Sequence, residues 1–387
     1  MTAPFLWGAA TSPLQTEGNA INSDWWATES HSSQLEPSGD AVDSYHHYRE
    51  DMRLLAEAGL TAYRFGIEWA RIEPAPGQFS LAELAHYRRM IDTAREFDLT
   101  PVITLHHFTS PQWFVDEGGW MGPTALDRFL AYTTRATDIL GDVEWIATIN
   151  EPNILAVMVN ARQAFSAGDE TIAGENFVMP RPGEEPGRRL IEIHQATRDA
   201  LRARTDAKVG WTVAGQAFFA GPGAEDRLLE ERYLREDLYY EGSIGDDFVG
   251  VQSYHTQEIG PDGPIPHPSR PGDTQSGPFT PEALAICIRH AWERTNGAPV
   301  LVTENGLATL DDTRRIEFIQ KAVEGLQQAK TDGIDVLGYL YWTLLDSYEW
   351  GRWDYKFGLI EVDRMTFARR AKPSLAWFGE FARRQQA

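Results

Sequence analysis

The chain has 387 residues, of which 42% are hydrophobic and 24% charged, a balance typical of a globular protein and not of a disordered or membrane-spanning one. Its formal net charge of -22 disfavours nucleic acid as a partner and, more weakly, an anionic substrate, because phosphates are bound by clustered lysine and arginine. No stretch approaches the roughly 20 apolar residues of a membrane span. The first residues lack the basic and apolar regions of an export signal. We therefore expect no membrane contact and a cytoplasmic location.

Short apolar runs alternate with stretches of helical periodicity along the chain, which is the pattern of repeated βα units. Eight runs predict strands, at 5–10, 62–69, 101–108, 145–151, 209–214, 248–255, 299–304 and 336–344. Six intervening stretches predict helices, at 43–58, 81–97, 125–140, 188–204, 281–294 and 312–330. Eight parallel strands with right-handed crossovers favour barrel closure. The predicted fold class is α/β, a single (β/α)8 TIM barrel that forms one catalytic domain over residues 1–387.

Local signals refine this pattern at a few places. Thr280, Pro281 and Glu282 supply a capping hydroxyl, an N1 proline and an acidic first turn, and they predict the start of a helix. The segments 179–187 and 260–277 are rich in glycine and proline. Either segment could be a domain linker, but both fall where strand-to-helix loops are expected, so we interpret them as rim of the active face. Cys287, the single cysteine, lies between two isoleucines and is expected to be buried.

Polar side chains follow three of the predicted strands: His-His-Phe at 106–108, Asn-Glu-Pro at 150–152 and Glu-Asn-Gly at 304–306. TIM-barrel enzymes place their catalytic groups at this end of the strands. A carboxylate directly after a buried strand is costly unless it is paired or functional. Two carboxylates that converge at this end of the barrel would suit acid/base or nucleophilic catalysis. Spacing alone leaves open that Glu151 and Glu304 are structural carboxylates bound by loop amides.

Neither a metal nor a cofactor is predicted. His106 and His107 could be metal ligands, but neighbours on a strand point to opposite faces, and no cluster of His or Cys at ligand spacing accompanies them. We expect one imidazole to face the pocket and the other the barrel wall. Gly-Pro-Gly at 221–223 lacks the third glycine of a nucleotide fingerprint, and no Walker motif is present.

Six motifs, in order along the chain, resemble those of the family 1 glycoside hydrolases, the β-glucosidase family. They are FLWGAATSPLQTEG at 5–18, YRFGIEWARIEP at 63–74, TLHHFTSPQWF at 104–114, TINEP at 148–152, VTENG at 302–306 and GYLYWTLLDSYEWGRWDYKFGLIEVD at 338–363. One such motif alone would be weak evidence, whereas six in order are specific. The resemblance implies a retaining, exo-acting β-glycosidase that hydrolyses a neutral β-linked sugar from a small glycoside or an oligosaccharide.

The resemblance also implies the roles of the two glutamates. Glu304 resembles the family nucleophile, and Glu151 resembles the general acid/base, which needs a raised pKa. Arg64 and Tyr254 match the positions that donate to the nucleophile, and we expect them to keep its pKa low. In the family geometry the two carboxyl groups lie about 5 Å apart, which leaves no room for a water and leads to a covalent intermediate with retention of configuration.

The remaining site residues implied by the resemblance form the sugar pocket. Asn150 resembles the residue that binds the sugar 2-hydroxyl, the alternative being a turn-forming asparagine. The other members of the predicted substrate site are Gln15, His107, Gln252, Tyr254, Trp342, Glu349 and Trp350. Hydrogen-bonding groups mixed with aromatic rings suit a pyranose, which has hydroxyl edges and apolar C–H faces.

The chain departs from the family pattern at two positions and in its length. Family members commonly carry Trp where Phe108 stands and Asn where Gln252 stands, so the preferred sugar cannot be copied from them. The chain is shorter than many members after strands four to six, and we hypothesise a wider leaving-group site. Glu349 is retained, and its carboxylate disfavours 6-phosphosugars.

Two other functions stay open on the same barrel. One is a transglycosidase that uses the same pair of glutamates, and the other is a catalytically silent carbohydrate-binding relative. The presence of Glu151, Glu304, Asn150, Arg64 and Tyr254 disfavours the silent relative. An unrelated aldolase or metal hydrolase is disfavoured because no Schiff-base lysine or metal cluster stands at the strand ends. The sequence does not indicate an oligomeric state.

Overall fold

Eight parallel strands close into a barrel, which confirms the predicted fold class. The structure is a computed structural model and describes residues 4–166, 179–267 and 272–386. The barrel strands are β1 (Leu6–Ala10), β2 (Ala62–Gly66), β3 (Thr100–Thr104), β4 (Trp145–Asn150), β5 (Lys208–Gly215), β6 (Val249–Ser253), β7 (Val300–Glu304) and β8 (Val336–Trp342). Each strand pairs with its neighbours in the chain, and β1 closes the barrel against β8 with Ala10 opposite Trp342.

Helices surround the barrel and connect its strands. The long ones are Ser44–Ala58, Leu81–Glu96, Ala125–Leu140, Pro152–Ser166, Glu184–Arg202, Ala283–Arg294, Asp312–Thr331 and Pro373–Gln386. Shorter helical segments are Pro13–Thr16, Asp24–Ser30, Trp69–Ile72, Gln112–Asp116, Gly119–Met121, Glu225–Arg232, Tyr233–Asp237 and Leu238–Gly242. Of the helices described, none is long and apolar enough to cross a membrane.

Among the described residues, five short strands lie outside the barrel. A three-stranded sheet is formed by segments that follow β5 and β6 along the chain, namely Phe218–Ala220, Gln257–Gly260 and Gly263–Pro264. After β8, Ile360–Val362 pairs with Arg369–Ala371 as a hairpin. The rim segment 260–277 therefore begins in regular structure. Residues 268–271 of that segment lie outside the described residues.

Several predicted boundaries are wrong by a few residues. The predicted strands 62–69, 101–108 and 248–255 end earlier, at Gly66, Thr104 and Ser253. Beyond these residues each strand continues as a loop, and the backbone hydrogen bonds to the neighbouring strand stop. The segment 179–187 is a loop only to Gly183, since a helix begins at Glu184 with two glutamates in its first turn.

The predicted helix start at Thr280 is also wrong, because the helix begins at Ala283. The hydroxyl of Thr280 does not cap that helix but accepts a hydrogen bond from the backbone N–H of Thr256. Residues 281–282 form a turn instead. Cys287, farther along this helix, is buried as predicted.

The barrel interior changes from apolar to polar along its axis. Seven inward-facing apolar residues fill its amino-terminal half: Leu6, Ala62, Val102, Trp145, Phe248, Leu301 and Leu340. Two positions after Ala62 the same face of β2 carries Arg64, and four positions after Phe248 the same face of β6 carries Gln252. The packed lower half thus forms the floor on which polar groups stand at the carboxyl ends of the strands.

Two strand irregularities reorient the residues at the ends of β4 and β7. The register shifts between Ala147 and Asn150, and again between Val302 and Glu304. Strict alternation from the inward-facing Trp145 and Leu301 would place Asn150 and Glu304 on the outer face of the barrel. The irregularities bring both side chains inward, as β-bulges do next to many active sites.

Candidate active site

A cavity of about 250 Å³ opens at the carboxyl ends of the barrel strands. Its lining consists of Gln15, His107, Phe108, Glu151, Tyr254, His255, Ser276, Glu304, Trp342, Glu349, Trp350 and Phe357. Eight of these are residues predicted for the site. The three other predicted residues, Arg64, Asn150 and Gln252, are fully buried and contact Glu304 or one another beneath it.

Both carboxylate oxygens of Glu304 accept hydrogen bonds. Oε1 accepts from Arg64 Nη1 at 2.5 Å and from Gln252 Nε2 at 2.9 Å, and Oε2 accepts from the hydroxyl of Tyr254 at 2.6 Å. Burial raises the pKa of Glu304 above its ordinary value, although these three donors oppose the rise. The prediction of a low pKa is therefore wrong in direction, because desolvation outweighs the donors. The donors fix the orientation of the carboxylate.

The motif Glu304-Asn305-Gly306 holds the end of β7 against its neighbours. Asn305 Nδ2 donates to the backbone oxygen of Ser253 at 2.6 Å, and its Oδ1 accepts from the hydroxyl of Tyr339 at 2.9 Å. A Cβ atom on Gly306 would lie 1.8 Å from the backbone oxygen of Trp342, so only glycine fits there. These contacts fix the backbone that carries Glu304.

Asn150 lies beneath the cavity with its amide orientation fixed. Its Oδ1 accepts from Arg64 Nη2 at 2.5 Å, from Gln252 Nε2 at 2.8 Å and from Thr212 Oγ1 at 3.1 Å. With the oxygen occupied in this way, the Nδ2 group points the other way and lies 3.3 Å from His107 Nε2. The amide can therefore offer a hydrogen of Nδ2 on the pocket side.

Glu151 stands between the end of β4 and the helix Pro152–Ser166. Its backbone N–H donates to the oxygen of Thr212 at 2.7 Å. Burial, followed by the negative charge of Glu304, raises the pKa of Glu151 well above its ordinary value, and Arg64 opposes this only in part. The negative charge of Glu304 thus favours the protonated form of Glu151.

The opposite wall of the cavity combines a carboxyl group with aromatic rings. Burial and the charge of Glu304 raise the pKa of Glu349 to about 8, while hydrogen bonds from Trp342 and Gln15 oppose the rise. Oε1 of Glu349 is buried and has no hydrogen-bond partner among the described residues. The ring of His107 is nearly parallel to that of Trp342, with centroids 5.7 Å apart. This wall therefore presents an acceptor beside flat apolar faces.

The match to known proteins agrees with this geometry. The model of the family described as glycosyl hydrolase family 1 matches residues 1–179 and 249–387, well over half of the chain. The chain belongs to glycosyl hydrolase family 1. The part of this family 1 chain outside the match includes β5 and the short helices after it.

Proteins named as glycosidases, and one named as a glucosyltransferase, match this chain over nearly its full length. The family 1 chain superposes on the β-glycosidase BGL167 with a TM-score of 0.89 and 43% identity, over 98% of this chain and 96% of that one. It is 29% identical to thermostable β-glucosidase B of Thermobispora bispora, over 98% of this chain and 90% of that protein. It is 27% identical to a cyanidin 3-O-glucoside 7-O-glucosyltransferase (acyl-glucose) of Delphinium grandiflorum, over 98% and 90%. With the family match, these similarities show a glycoside hydrolase of the β-glucosidase type.

The two adjacent histidines of this family 1 enzyme point to different sides. His107 lines the cavity, whereas His106 Nε2 lies 3.0 Å from Ser110 Oγ and its ring packs edge-on against Trp120. Within residues 4–166, 179–267 and 272–386, no three side chains of His, Cys, Asp or Glu could hold a metal ion together.

Four residues of the family 1 site had no role in the sequence reasoning. Ser276 and Phe357 fall in segments already singled out as rim and motif, and His255 follows Tyr254, so position along the chain was a usable signal for them. Thr212 had no such signal, because it reaches Asn150 only through the pairing of β4 with β5.

Three residues of the cavity lining have a left-handed backbone. Phe108, Glu151 and Trp350 have φ angles of 66°, 44° and 47°. Such a conformation is unfavourable for a bulky side chain and costs about 1–3 kcal/mol at each residue. The concentration of this strain around one cavity is typical of a site whose geometry serves catalysis or binding.

Proposed function

We propose that this family 1 enzyme is a retaining, exo-acting β-glycosidase in which Glu304 is the nucleophile and Glu151 the general acid/base. The observation that carries the proposal is the contrast between two interacting carboxyl groups in one cavity. Glu304 is oriented by Arg64, Gln252 and Tyr254, whereas the pKa of Glu151 is raised well above its ordinary value. A carboxylate and a carboxylic acid in one site supply the two groups that the reaction needs.

In the first step, an oxygen of Glu304 attacks the anomeric carbon while Glu151 gives its proton to the glycosidic oxygen. The bond between the anomeric carbon and that oxygen breaks, the leaving group departs as an alcohol, and the sugar is held as an ester on Glu304. Glu151 is left ionised. Burial and the charge of Glu304 favour the protonated form of Glu151, which keeps a proton available for this step.

In the second step, Glu151 acts as the base. It takes a proton from a water that attacks the anomeric carbon, and the ester bond to Glu304 breaks. Two inversions give net retention of configuration. The Nδ2 group of Asn150, oriented by Arg64 and Gln252, donates to the sugar 2-hydroxyl in both transition states.

The sugar is a neutral pyranose bound by its outer hydroxyls. Gln15, His107 and Glu349 supply donors and acceptors, and Trp342 and Trp350 supply ring faces. A 6-phosphate would bring further negative charge into a cavity that already holds the carboxylate of Glu304, in a chain of net charge -22, so phosphorylated sugars are disfavoured. The name of the Thermobispora relative supports a β-glucoside as the substrate.

The leaving group occupies the outer part of the cavity, near His255, Ser276 and Phe357. The shorter chain makes this side wide enough for large leaving groups. We therefore expect glycosides with large and small leaving groups to be cleaved at comparable rates. Uniformly poor turnover of large ones relative to aryl glycosides would contradict a wide site.

The test is a panel of 4-nitrophenyl β-glycosides, namely glucoside, galactoside, fucoside, xyloside and mannoside, with release of nitrophenolate as the readout. We expect the wild type to cleave at least one of them and Glu304→Gln to cleave none. The proposal would be overturned if folded wild type cleaved no member of this panel and no cellobioside.

A second candidate is transglycosylation with the same two glutamates. It is favoured by the similarity to the Delphinium grandiflorum glucosyltransferase, whose name describes transfer from an acyl-glucose. Chromatography of the products at high acceptor concentration separates the two functions, since hydrolysis gives free sugar and transfer gives a new glycoside. Sugar binding without either product would instead indicate a catalytically silent relative.

A further inference from the structure

A cavity of about 240 Å³ lies apart from the active site, between the segment that follows β5 and the helix Ala283–Arg294. We call it the side cavity. Its lining combines the charged Arg232 and Glu236 with the apolar Ala217, Phe218, Ile286 and Cys287. None of the described residues that line it also lines the cavity of Glu304. The side cavity is therefore a separate place at which a small molecule could bind.

Glu236 points one unpartnered carboxyl oxygen into the side cavity. The residue is only 3% exposed, and its Oε1 accepts a hydrogen bond from the backbone N–H of Gln216 at 2.6 Å. Its Oε2 makes no hydrogen bond to a described residue. His290 Nε2 lies 3.9 Å from that oxygen and binds Asp237 Oδ1 instead, at 2.6 Å. Burial raises the pKa of Glu236 to about 7, so a cationic ligand group would be favoured at this oxygen.

Arg232 supplies a positive charge to the same lining. Its Nη2 donates to the backbone oxygen of Phe218 at 2.9 Å, and within the described part of the chain its side chain makes no other hydrogen bond and no ion pair. Arg232 lowers the pKa of Glu236 only slightly against the effect of burial. A guanidinium group and a carboxyl group thus line one cavity without pairing with each other. A ligand that bridges the two would pair both.

The helical turn that carries Glu236 is irregular. Tyr233–Asp237 is a π-helical turn between Glu225–Arg232 and Leu238–Gly242. Such turns are rare, and they occur frequently at functional sites. This one falls within residues 180–248, which the family model does not match. Membership of the family therefore assigns no role to it.

We propose that the side cavity binds a small zwitterion with an apolar body, of the chemical class of the apolar α-amino acids. The ammonium group contacts Glu236 Oε2, and the carboxylate contacts the guanidinium of Arg232. A ligand with an anionic group alone would leave Glu236 unpaired, and one with a cationic group alone would leave Arg232 unpaired. The apolar body packs against Ala217, Phe218, Ile286 and Cys287.

The test is isothermal titration calorimetry of the whole chain with leucine, methionine and phenylalanine. At about pH 8 the carboxyl group of Glu236, with its pKa of about 7, is mostly ionised. We expect at least leucine to bind, with a Kd of about 1 mM or lower. Two analogues of leucine, 4-methylpentanoate and 3-methylbutylamine, each lack one of its charged groups. Both should bind at least about tenfold more weakly than leucine.

Two variants each remove one of the proposed contacts. Glu236→Gln keeps the size of the side chain and removes its charge, and Arg232→Met removes the guanidinium. We expect each to weaken the binding of leucine by at least about tenfold. The matched control is Glu293→Gln, because Glu293 also lines the side cavity but is exposed to solvent. It should change the affinity by less than about twofold.

A further variant blocks the side cavity without changing its buried groups. Ile286 is 45% exposed at the cavity, so Ile286→Trp can fill the space from the surface, and we expect it to abolish the binding of leucine. Thermal unfolding checks that every variant is folded. If Glu236→Gln or Arg232→Met is not folded, Ile286→Trp decides in its place.

Three results would overturn the inference. One is a folded wild type that binds none of the three amino acids with a Kd below about 10 mM. Another is equal affinity for leucine and for its singly charged analogues. The third is a loss of affinity no larger in Glu236→Gln and Arg232→Met than in the control Glu293→Gln. None of these measurements uses glycosidase activity, so the inference can fail or succeed independently of the proposed function.

Discussion

At the scale of residues, two glutamates of the same chemistry differ in the groups around them. Glu304 accepts hydrogen bonds on both oxygens, whereas the pKa of Glu151 is raised by burial and by the charge of Glu304. The proposed reaction needs Glu304 ionised and Glu151 protonated. Activity is therefore lost below the pKa of Glu304, where the nucleophile is protonated, and above the pKa of Glu151, where the acid is ionised. The profile of kcat/KM against pH should be bell-shaped.

Replacement of Glu151 tests whether this residue is responsible for the alkaline limb of the pH profile. For Glu151→Ala we expect a fall in kcat/KM of roughly 100- to 10,000-fold on glycosides with poor leaving groups, the range typical of general acid catalysis. The alkaline limb should disappear. Azide, added as an external nucleophile, should restore turnover of a 4-nitrophenyl glycoside and give a β-glycosyl azide. A variant that retains the alkaline limb would assign the acid role to another group.

Glu349 provides the second test at this scale. Burial and the charge of Glu304 raise its pKa to about 8, so near neutral pH it is mostly protonated. Glu349→Ala removes its contacts to the sugar hydroxyls, and we expect most of the glycosidase activity to be lost. Glu349→Gln, the matched control, keeps a group of the same size and should lose less. Unchanged kcat/KM in Glu349→Ala would remove this residue from the sugar site.

The motif resemblance predicted residues of the cavity wall but not all of the residues that hydrogen-bond to the site. Glu151, Glu304 and Glu349 could be predicted because each stands in an ordered motif. Thr212 could not, since its contact to Asn150 depends on the register between β4 and β5. The direction of the pKa shift at Glu304 was also mispredicted, because donors can be counted from a motif whereas burial cannot.

At the scale of elements, the ends of the strands were harder to predict than their existence. All eight strands were predicted, yet the runs at 62–69 and 101–108 continued past Gly66 and Thr104. The apolar residues continue into the loop at the cavity, so the end of an apolar run in the sequence does not mark the last backbone hydrogen bond of the strand. The irregularities that bring Asn150 and Glu304 inward have no sequence signal either.

The hairpin after β8 is joined to the helix Ser44–Ala58 by a fully buried ion pair between Arg369 and Asp51. Arg369 Nε lies 2.8 Å from Asp51 Oδ1, and both side chains are inaccessible to solvent. We expect Arg369→Met to lower the free energy of unfolding by about 3–5 kcal/mol, because it leaves a buried carboxylate without its partner.

A double-mutant cycle measured by urea denaturation tests the pair of Arg369 and Asp51. In Asp51→Asn/Arg369→Met no unpaired charge is left, so the double variant should be more stable than Arg369→Met alone. If the two single effects simply add, the ion pair does not join the hairpin to the helix in the way proposed.

At the scale of the whole molecule, the charge of -22 acts on charged ligands and not on neutral ones. For a neutral 4-nitrophenyl glycoside we expect kcat/KM to change by less than about twofold between about 20 mM and 500 mM salt. The corresponding 6-phosphoglycoside should be a poor substrate throughout and should improve somewhat as salt screens the repulsion. Turnover of the 6-phosphoglycoside comparable to that of the neutral one would contradict the proposed sugar site.

The fold and the family could be predicted because both are encoded redundantly, the fold by eight repeated runs and the family by six ordered motifs. The family match leaves out residues 180–248, so β5 and its loops are the part of the chain in which family resemblance is least informative. That region also contains Thr212. The arrangement of the chain as one domain over residues 1–387 stays a prediction.

The most direct test of the central claim is covalent labelling with a 2-deoxy-2-fluoro-β-glycoside that carries a good leaving group. The fluorine slows both steps, and the leaving group speeds the first, so the sugar accumulates as an ester on the nucleophile. We predict one sugar per chain, found by mass spectrometry of peptic fragments on Glu304. A label on another residue, or turnover of the parent glycoside with inversion and no label at all, would contradict the proposed mechanism.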